Sequence, residues 1–360
     1  MDLAITGRCN LRCTYCAHFT SPAEVAADLP TEEWLRFFDE LGAHGVTAVT
    51  LSGGEPFIRD DLMALLQGIV RNRMRFAILS NGTLITGQMA AYIASTGRCN
   101  YVQVSIDGAA PETHDVTRGE GTFGRAVAGL KILMSCGIHA AARVTISKHN
   151  VRELERIAQM LLDDLGLGGF GTNAASYQGL CRKNTDIQLS TQDRVLAMRE
   201  LLRLNRIYNN RIQAAAGPLA EAHQWAKMMR ARDGHQPGLS QGGFLRSCHG
   251  MFKQIAVRAD GVMVPCGQLS HMELGRINKD SLVHVWRNHP TLNAFRERVN
   301  IPLSNFTQCR PCEYVNYCSG NCPALAYTLA GSDAQPSPDA CLKRFLEDGG
   351  VLPEEALVNG

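Results

Sequence analysis

The stretch Cys9-Asn10-Leu11-Arg12-Cys13-Thr14-Tyr15-Cys16 brings three cysteines into one short loop. It follows an apolar segment, Leu3-Ala4-Ile5-Thr6, whose residues predict a short strand. Three thiolates on one tight loop suit a [4Fe–4S] cluster that keeps one iron free of protein ligands. Zinc fits this group poorly, because a structural zinc ion needs four ligands and no fourth one lies nearby in the sequence.

A second group of cysteines lies in the C-terminal part of the chain, so that the two groups hold ten of the thirteen cysteines. The N-terminal residues lack the basic region and apolar core of a signal peptide, and we therefore expect a cytoplasmic protein, where disulfides are rare. Cysteine is also too sparse for a disulfide scaffold. Metal ligation is favoured for both groups, although spacing alone leaves zinc and iron–sulfur close for the second.

Composition limits the classes of function. The chain has 360 residues, enough for two domains or one large α/β domain with an appendix. Its net charge is +2, with 36 basic and 34 acidic residues, which argues against a nucleic-acid partner. Apolar stretches are too short for a membrane span, so no membrane partner is expected either.

The first half of the chain alternates predicted strands and helices. The predicted strands are 3–6, 46–51, 76–79, 101–106, 141–146 and 170–173, and the predicted helices are one that begins at Thr31, 61–73, 88–95, 123–136 and 151–165. About six βα units predict a parallel sheet, and six rather than eight predict an open, partial barrel. Helices at 195–204 and 219–229 follow without strong strands, then a mobile loop over 232–243 and short elements after Cys248.

Three further motifs end predicted strands. Ser52-Gly53-Gly54-Glu55-Pro56 follows the second strand, Ser80-Asn81-Gly82-Thr83 the third, and Ser105-Ile106-Asp107-Gly108 the fourth. Glycines let a backbone approach a ligand closely, and a carboxylate can accept a charge-assisted hydrogen bond from an ammonium group. Parallel α/β folds gather ligands at these strand ends. The alternative is that these are ordinary turns, which Asn-Gly and Asp-Gly pairs favour.

Taken together, the motifs resemble the radical SAM superfamily with a C-terminal SPASM domain. The pattern Cys248-x12-Gly261-x4-Cys266, then Cys309-x2-Cys312-x5-Cys318-x3-Cys322, then Cys341, resembles the seven-cysteine SPASM pattern. The resemblance implies a partial (βα)6 radical SAM barrel over 1–189, a helical bridging region over 190–247, a SPASM domain over 248–346 and a tail over 347–360.

The resemblance also implies the cofactors, which are S-adenosylmethionine (SAM) and three [4Fe–4S] clusters. The implied ligands are Cys9, Cys13 and Cys16 for the cluster that binds SAM, Cys248, Cys266 and Cys322 for a first auxiliary cluster, and Cys309, Cys312, Cys318 and Cys341 for a second. The first auxiliary cluster is one thiolate short. Its fourth position is expected to be open, or filled by Cys181, His249 or a substrate thiol.

The residues that the resemblance places around SAM are Tyr15, Gly53, Gly54, Glu55, Ser80, Asn81, Ser105, Asp107, Arg118 and Arg143. Glu55 is expected to accept the SAM ammonium group, and Tyr15 to lie near the adenine or only to pack. Ser105 and Asp107 are expected at the carboxylate or ribose of SAM. The two arginines are candidate carboxylate clamps, or alternatively members of structural ion pairs.

SPASM enzymes mostly modify peptides, so the resemblance implies oxidative maturation of a precursor peptide by a thioether or carbon–carbon cross-link, as in cassettes of the SynChlorMet type. Formylglycine formation is a weaker alternative, because Gly267 follows Cys266 where sulfatase-maturing relatives have Asp. Tetrapyrrole or other small-molecule tailoring is a further alternative. A non-catalytic iron–sulfur scaffold is disfavoured, since an electron carrier needs no Gly53-Gly54-Glu55 motif.

The expected partners follow from the same resemblance. A ferredoxin- or flavodoxin-type protein would supply electrons. The short N-terminal segment leaves no room for a winged-helix peptide-recognition domain ahead of the barrel. A leader peptide is therefore expected to bind elsewhere or through a separate leader-binding protein.

Overall fold

The described residues of the computed structural model, 1–17, 27–234, 242–246, 248 and 250–358, form one sheet of ten strands. Seven of these strands are parallel and adjacent in chain order: β1 (Asp2–Thr6), β2 (Ala48–Gly53), β3 (Arg75–Ser80), β4 (Cys99–Ser105), β5 (Ala140–Ile146), β6 (Phe170–Ala174) and β7 (Ile212–Ala214). The six predicted parallel strands are confirmed. The sequence pattern did not indicate β7, which is only three residues long and lies in the stretch expected to be helical.

Helices connect the strands and cover the outer face of the sheet. They are α1 (Thr31–Ala43), α2 (Leu62–Arg71), α3 (Gly87–Ser95), α4 (Pro111–Arg118), α5 (Thr122–Ser135), α6 (Leu154–Gln159), α7 (Thr191–Ile207) and α8 (Pro218–Arg232). In α1, Trp34, Phe37, Phe38 and Leu41 are buried, as their helical spacing predicts. The single helix expected over 151–165 is divided into a 3₁₀ turn, α6 and a π-helical turn.

Alternation along the strands separates the apolar core from a polar interior. In β4, Val102 and Val104 are fully buried against the helical layer, whereas Gln103 and Ser105 are half-buried on the opposite face. Because side chains alternate between the two faces of a strand, the second face lines the inside of the partial barrel. Polar side chains therefore line the space in which the loops at the strand ends meet.

The C-terminal part of the chain extends the same sheet. Three short strands, β8 (Ala256–Val257), β9 (Val262–Val264) and β10 (Gly275–Arg276), continue it beyond β1, and β8 pairs with β1 in parallel. The remaining helices are α9 (Gly250–Lys253), α10 (Leu282–Asn288), α11 (Pro290–Glu297), α12 (Pro323–Ala330), α13 (Leu342–Glu347) and α14 (Glu354–Val358). Phe345 of α13 packs against Trp225 of α8 with ring centroids 4.7 Å apart, which joins this part to the barrel core.

Two sequence expectations concern mobility and membranes. Most of the loop expected over 232–243 lies outside the described residues, as does His249. None of the helices in the described part of the chain is both long and apolar enough to cross a membrane.

Candidate active site

The cysteine loop lies at the carboxyl end of β1 and is fixed by backbone bonds from distant segments. Thr14 N–H donates to Thr117 O at 2.9 Å, and Leu180 N–H donates to Cys16 O at 2.9 Å. Cys9, Cys13 and Cys16 are half-buried free thiols whose charges interact. Burial raises the pKa of Cys13 to about 11. Three free thiols on one loop, close enough for their charges to interact, fit the three ligands of an iron–sulfur cluster.

Asp28 anchors the start of this loop and was not indicated by the sequence pattern. Its carboxylate accepts hydrogen bonds from Thr6 Oγ1 at 2.6 Å and from Gly7 N–H at 2.7 Å, and it forms an ion pair with Arg8 at 2.9 Å. The bonds fix the chain where β1 turns into the cysteine loop. A lone Asp carries no sequence signal for this role, because its partners lie about twenty residues earlier in the chain.

The Gly53-Gly54 pair brings the end of β2 against the cysteine loop. Gly54 N–H donates to Thr6 O and Glu55 N–H to Arg8 O, both at 2.9 Å. A Cβ atom at Gly54 would lie 2.0 Å from the Arg8 carbonyl oxygen, and Gly53 has a φ of +134°. Glycine is thus required at these positions for the end of β2 to contact the cysteine loop. The same lack of a side chain would also let the backbone approach a ligand closely.

Glu55 is a fully buried carboxylate within this arrangement. Its Oε1 accepts hydrogen bonds from Ser80 Oγ at 2.8 Å and Phe57 N–H at 3.1 Å, and its Oε2 accepts one from Asn81 N–H at 2.7 Å. Burial raises the pKa of Glu55 to about 7, although these bonds and Arg118 act in the opposite direction. A cationic ligand would favour the ionised form, so the site is suited to an ammonium group.

Tyr15 of the cysteine loop takes part in a hydrogen-bond network with the buried residues Asp107 and Arg118. Arg118 Nε donates to Asp107 Oδ2 at 2.5 Å, Tyr15 OH also donates to that oxygen, and Thr145 N–H donates to Oδ1 at 2.8 Å. Burial and the neighbouring carboxylate raise the pKa of Tyr15, while Arg118 acts in the opposite direction. The Asp107 carboxylate is therefore engaged by protein donors. Direct contact between Asp107 and SAM stays a prediction.

Arg118 connects this network to the cysteines. It is 7% exposed, and its Nη1 lies 4.0 Å from Cys13 Sγ. The alternative role anticipated for it, a structural ion pair, is present with Asp107. A guanidinium so placed can stabilise negative charge at the cysteine loop.

The other residues expected around SAM lie at the same edge of the sheet or inside the barrel. Asn81 Nδ2 lies 3.9 Å from Cys9 Sγ and donates to Asn10 Oδ1 at 2.9 Å. Ser105 and Arg143 are register neighbours on β4 and β5. Arg143 Nε donates to Gln103 Oε1 at 3.2 Å, and its half-buried guanidinium lies inside the barrel. Its role as a carboxylate clamp stays a prediction.

The C-terminal cysteines lie in two groups that correspond to the two ligand sets implied by the family resemblance. Cys248, Cys266 and Cys322 lie close enough for their charges to interact, and burial raises the pKa of Cys266 to about 11. Cys309, Cys312, Cys318 and Cys341 line one cavity of about 380 Å³. Four thiols in one set could hold either a [4Fe–4S] cluster or a zinc ion.

Cys181 lies against the first cysteine loop. It is fully buried and packs with Ala175, Ile187 and Tyr15. Its segment forms a 3₁₀ turn, Gly179–Arg182, that donates to Cys16 O through Leu180. The charge of Cys248 is among those that interact with Cys266 and Cys322.

A cavity of about 460 Å³ separates the barrel mouth from the first auxiliary set. Small residues that follow β6 and β7, among them Ala175, Ala216 and Gly217, form one wall, and Cys248 and Cys322 lie on another. The ionisable side chains other than cysteine that line it in the described part of the chain are Glu221, Asp339 and Arg246. A substrate in this cavity would lie between the ends of the parallel strands and the auxiliary cysteines.

Comparison with known proteins identifies the class to which this site belongs. The radical SAM superfamily model matches residues 3–161, and the SPASM iron–sulfur cluster-binding domain matches residues 248–313. The chain therefore carries a radical SAM domain and a SPASM domain. These domains imply iron–sulfur clusters and SAM as cofactors, and they confirm the predicted fold class.

Individual relatives differ in their substrates. The chain is 27% identical over 342 residues to the AdoMet-dependent heme synthase of Methanosarcina barkeri, covering 93% of each chain. It is 26% identical over 362 residues to the PqqA peptide cyclase of Ruegeria pomeroyi, covering 99% of this chain and 90% of the relative. The structure of Streptococcus suis SuiB bound to S-adenosylmethionine superposes with a TM-score of 0.71 at 16% identity, covering 95% and 76% of the two chains. This last likeness concerns the fold alone.

Proposed function

We propose that this enzyme cleaves SAM reductively and uses the resulting radical to modify a peptide oxidatively, by a thioether or carbon–carbon cross-link. When bound, SAM and the cluster at Cys9, Cys13 and Cys16 supply a 5′-deoxyadenosyl radical that abstracts a hydrogen atom from the substrate. Glu55 would hold the SAM ammonium group, with Gly53 and Gly54 keeping it against the cysteine loop.

The charged side chains that line the cavity favour a peptide substrate over a tetrapyrrole. Glu221 and Asp339 bring two carboxyl groups to its described lining, whereas Arg246 brings one guanidinium. Burial raises the pKa of both Glu221 and Asp339, and Arg194 beside them acts in the opposite direction. A tetrapyrrole that carries several carboxylates needs an excess of cations, which the described part of this lining does not provide. A peptide backbone suits the small residues of the opposite wall.

Two relatives support the same choice. One curated relative is a PqqA peptide cyclase over almost the whole chain, and a second SuiB structure, with a TM-score of 0.69, is described as bound to the precursor peptide SuiA. Tetrapyrrole tailoring is the second candidate, since heme synthases align at similar identity and coverage. Formylglycine formation has less support, because Gly267 follows Cys266.

We further propose three [4Fe–4S] clusters, with the first auxiliary cluster left open at its fourth position. The buried location of Cys181 against Tyr15 supports this over Cys181 ligation. An open iron could bind a substrate thiol and lower its pKa. A ferredoxin- or flavodoxin-type donor and a separate leader-binding protein remain predictions, as do the domain limits at 189, 247 and 346.

The test compares two substrate classes with the same reconstituted enzyme. Dithionite-reduced enzyme and SAM are incubated either with short peptides encoded beside the gene or with a tetrapyrrole that carries propionate groups. Loss of two hydrogen atoms from a peptide, with stoichiometric 5′-deoxyadenosine, supports the proposal. Decarboxylation of the tetrapyrrole with unchanged peptides would instead establish the second candidate. The matched control lacks Cys9, Cys13 and Cys16 and should produce neither product.

A further inference from the structure

Arg298 is a buried cation without an ion-pair partner among the described residues. It begins the 3₁₀ turn Arg298–Asn300 after α11 and is 2% exposed. Its Nη2 donates to Arg246 O at 3.4 Å, while its Nε and Nη1 are buried and have no hydrogen-bond partner in the described part of the chain. Burying a guanidinium in this way is costly unless an anion compensates it.

The groups around Arg298 indicate which anion could compensate its charge. Its charge interacts with those of Asp333 and Cys322, and the described part of the chain provides no carboxylate within ion-pair distance. Cys322 and Cys266 also pack against the small apolar cluster that contains Phe295, one turn before Arg298. The unpartnered N–H groups therefore lie beside cysteines of the first auxiliary set.

Arg246 is a second arginine whose guanidinium has buried nitrogens without a hydrogen-bond partner among the described residues. These nitrogens are Nε and Nη2, and the side chain lines the cavity that Cys248 and Cys322 also line. Arg246 N–H donates to Ser319 O at 2.8 Å, which fixes the segment before Cys248 to the segment before Cys322. Two guanidinium groups with unused donors thus flank one set of cysteines.

We propose that Arg298, assisted by Arg246, is the counter-charge of the first auxiliary cluster and raises its reduction potential. A thiolate-bound iron–sulfur cluster is an anion with sulfur acceptors, and both nearby charge and hydrogen bonds to sulfur set its potential. A fixed cation stabilises the form that carries one more electron. This inference rests on the proposed presence of that cluster.

The experiment uses full-length reconstituted protein in which Cys9, Cys13 and Cys16 are Ala, so that only auxiliary clusters contribute. EPR-monitored redox titration is carried out without SAM or substrate, and Cys322→Ala identifies the signal of the first auxiliary cluster. Arg298→Met should shift its one-electron equilibrium at least tenfold towards the oxidised form, about 59 mV lower. The second auxiliary signal should not move.

Arg296→Met is the matched control. Arg296 lies two residues away and stacks on Trp286 at 4.6 Å, so the same substitution there should leave both potentials unchanged. An unchanged first-cluster potential in Arg298→Met, at full iron content, overturns the proposal. If that variant loses the iron of the first cluster, Arg298→Gln decides, because it removes the charge and keeps a polar side chain. A lowered potential in Arg298→Gln then supports the proposal and an unchanged one overturns it.

Stability of the iron-free chain gives an independent readout. In that state Arg298 has no cluster to compensate it, so Arg298→Met should unfold at a urea concentration at least as high as the parent does. A clear loss of stability would assign Arg298 a structural role through the Arg246 carbonyl and overturn the proposal. Neither readout uses a substrate, so failure here is distinguishable from failure of the proposed peptide chemistry. Absence of the first auxiliary cluster in the parent would be seen directly by iron counting.

Discussion

Replacement of Glu55 tests the candidate SAM site most directly. An ionised carboxylate has about four acceptor positions, and Ser80 Oγ, Phe57 N–H and Asn81 N–H occupy three of them. The remaining position is on Oε2, and the ammonium group of SAM is expected to fill it. Replacement of Glu55 is therefore expected to weaken one hydrogen bond between charged groups.

Glu55→Gln removes the charge and keeps the length of the side chain. A hydrogen bond to a charged group contributes about 1.5–3 kcal/mol, and about 1.4 kcal/mol corresponds to a tenfold change in Kd. SAM should therefore bind roughly 10- to 150-fold more weakly. The amide should also destabilise the fold by about 1–3 kcal/mol, because its NH2 group cannot accept the bond from Asn81 N–H or from Ser80.

The assay is isothermal titration of SAM into anaerobically reconstituted protein at matched iron content. Asp115→Asn is the control, since Asp115 likewise accepts three bonds, from Gly121 N–H, Phe123 N–H and Thr122 Oγ1, but at the turn between α4 and α5. The control should keep the parent affinity for SAM. An unchanged Kd in Glu55→Gln at full iron content would refute the reasoning and leave Glu55 as a turn residue.

Three further outcomes are expected. Because burial raises the pKa of Glu55 to about 7 and SAM requires the carboxylate, SAM affinity should fall as pH is lowered from about 8 to about 6, approaching tenfold per pH unit below 7; the same titration on Glu55→Gln should be flat, and a parallel slope would contradict this origin. Asp107→Ala leaves the Arg118 charge uncompensated, so urea unfolding of the iron-free protein should show a loss of about 3–5 kcal/mol, whereas a loss below 1 kcal/mol would mean that the pair is not coupled. Cys181→Ser, made in protein without the first three cysteines, should retain the iron and EPR signal of both auxiliary clusters, and loss of one cluster would identify Cys181 as its ligand.

Short-range patterns account for what could be predicted. The six parallel strands and the ligand loops are encoded by alternation and spacing within a few residues of each other, and such local signals survive without tertiary contacts. Two features of the helices were not predicted: the division of the helix expected over 151–165 into three pieces, and the presence of α4. Helix boundaries depend on packing as well as on propensity. Strands β7 to β10, of two or three residues each, carry too little pattern to be recognised.

The roles of individual polar residues required long-range contacts. Asp28 anchors the cysteine loop from about twenty residues away, and Thr145 and Asn150 hold Asp107 from 38 and 43 residues away. Nothing in the local sequence of these residues distinguishes them from ordinary loop residues. Similarly, the family resemblance implied a ligand-binding role for Asp107, while the structure shows that Arg118, Tyr15 and Thr145 donate hydrogen bonds to its carboxylate.

By itself, the sequence determined the class of this protein, because a cluster loop needs three thiolates at fixed separation and that separation is written in consecutive residues. Only the tertiary structure placed Cys181 beside Tyr15 and left the guanidinium of Arg298 buried next to Cys322. Burial and the pairing of charges depend on which distant segments pack together. Spacing along the chain does not specify them, since they arise from the packing of segments far apart in sequence.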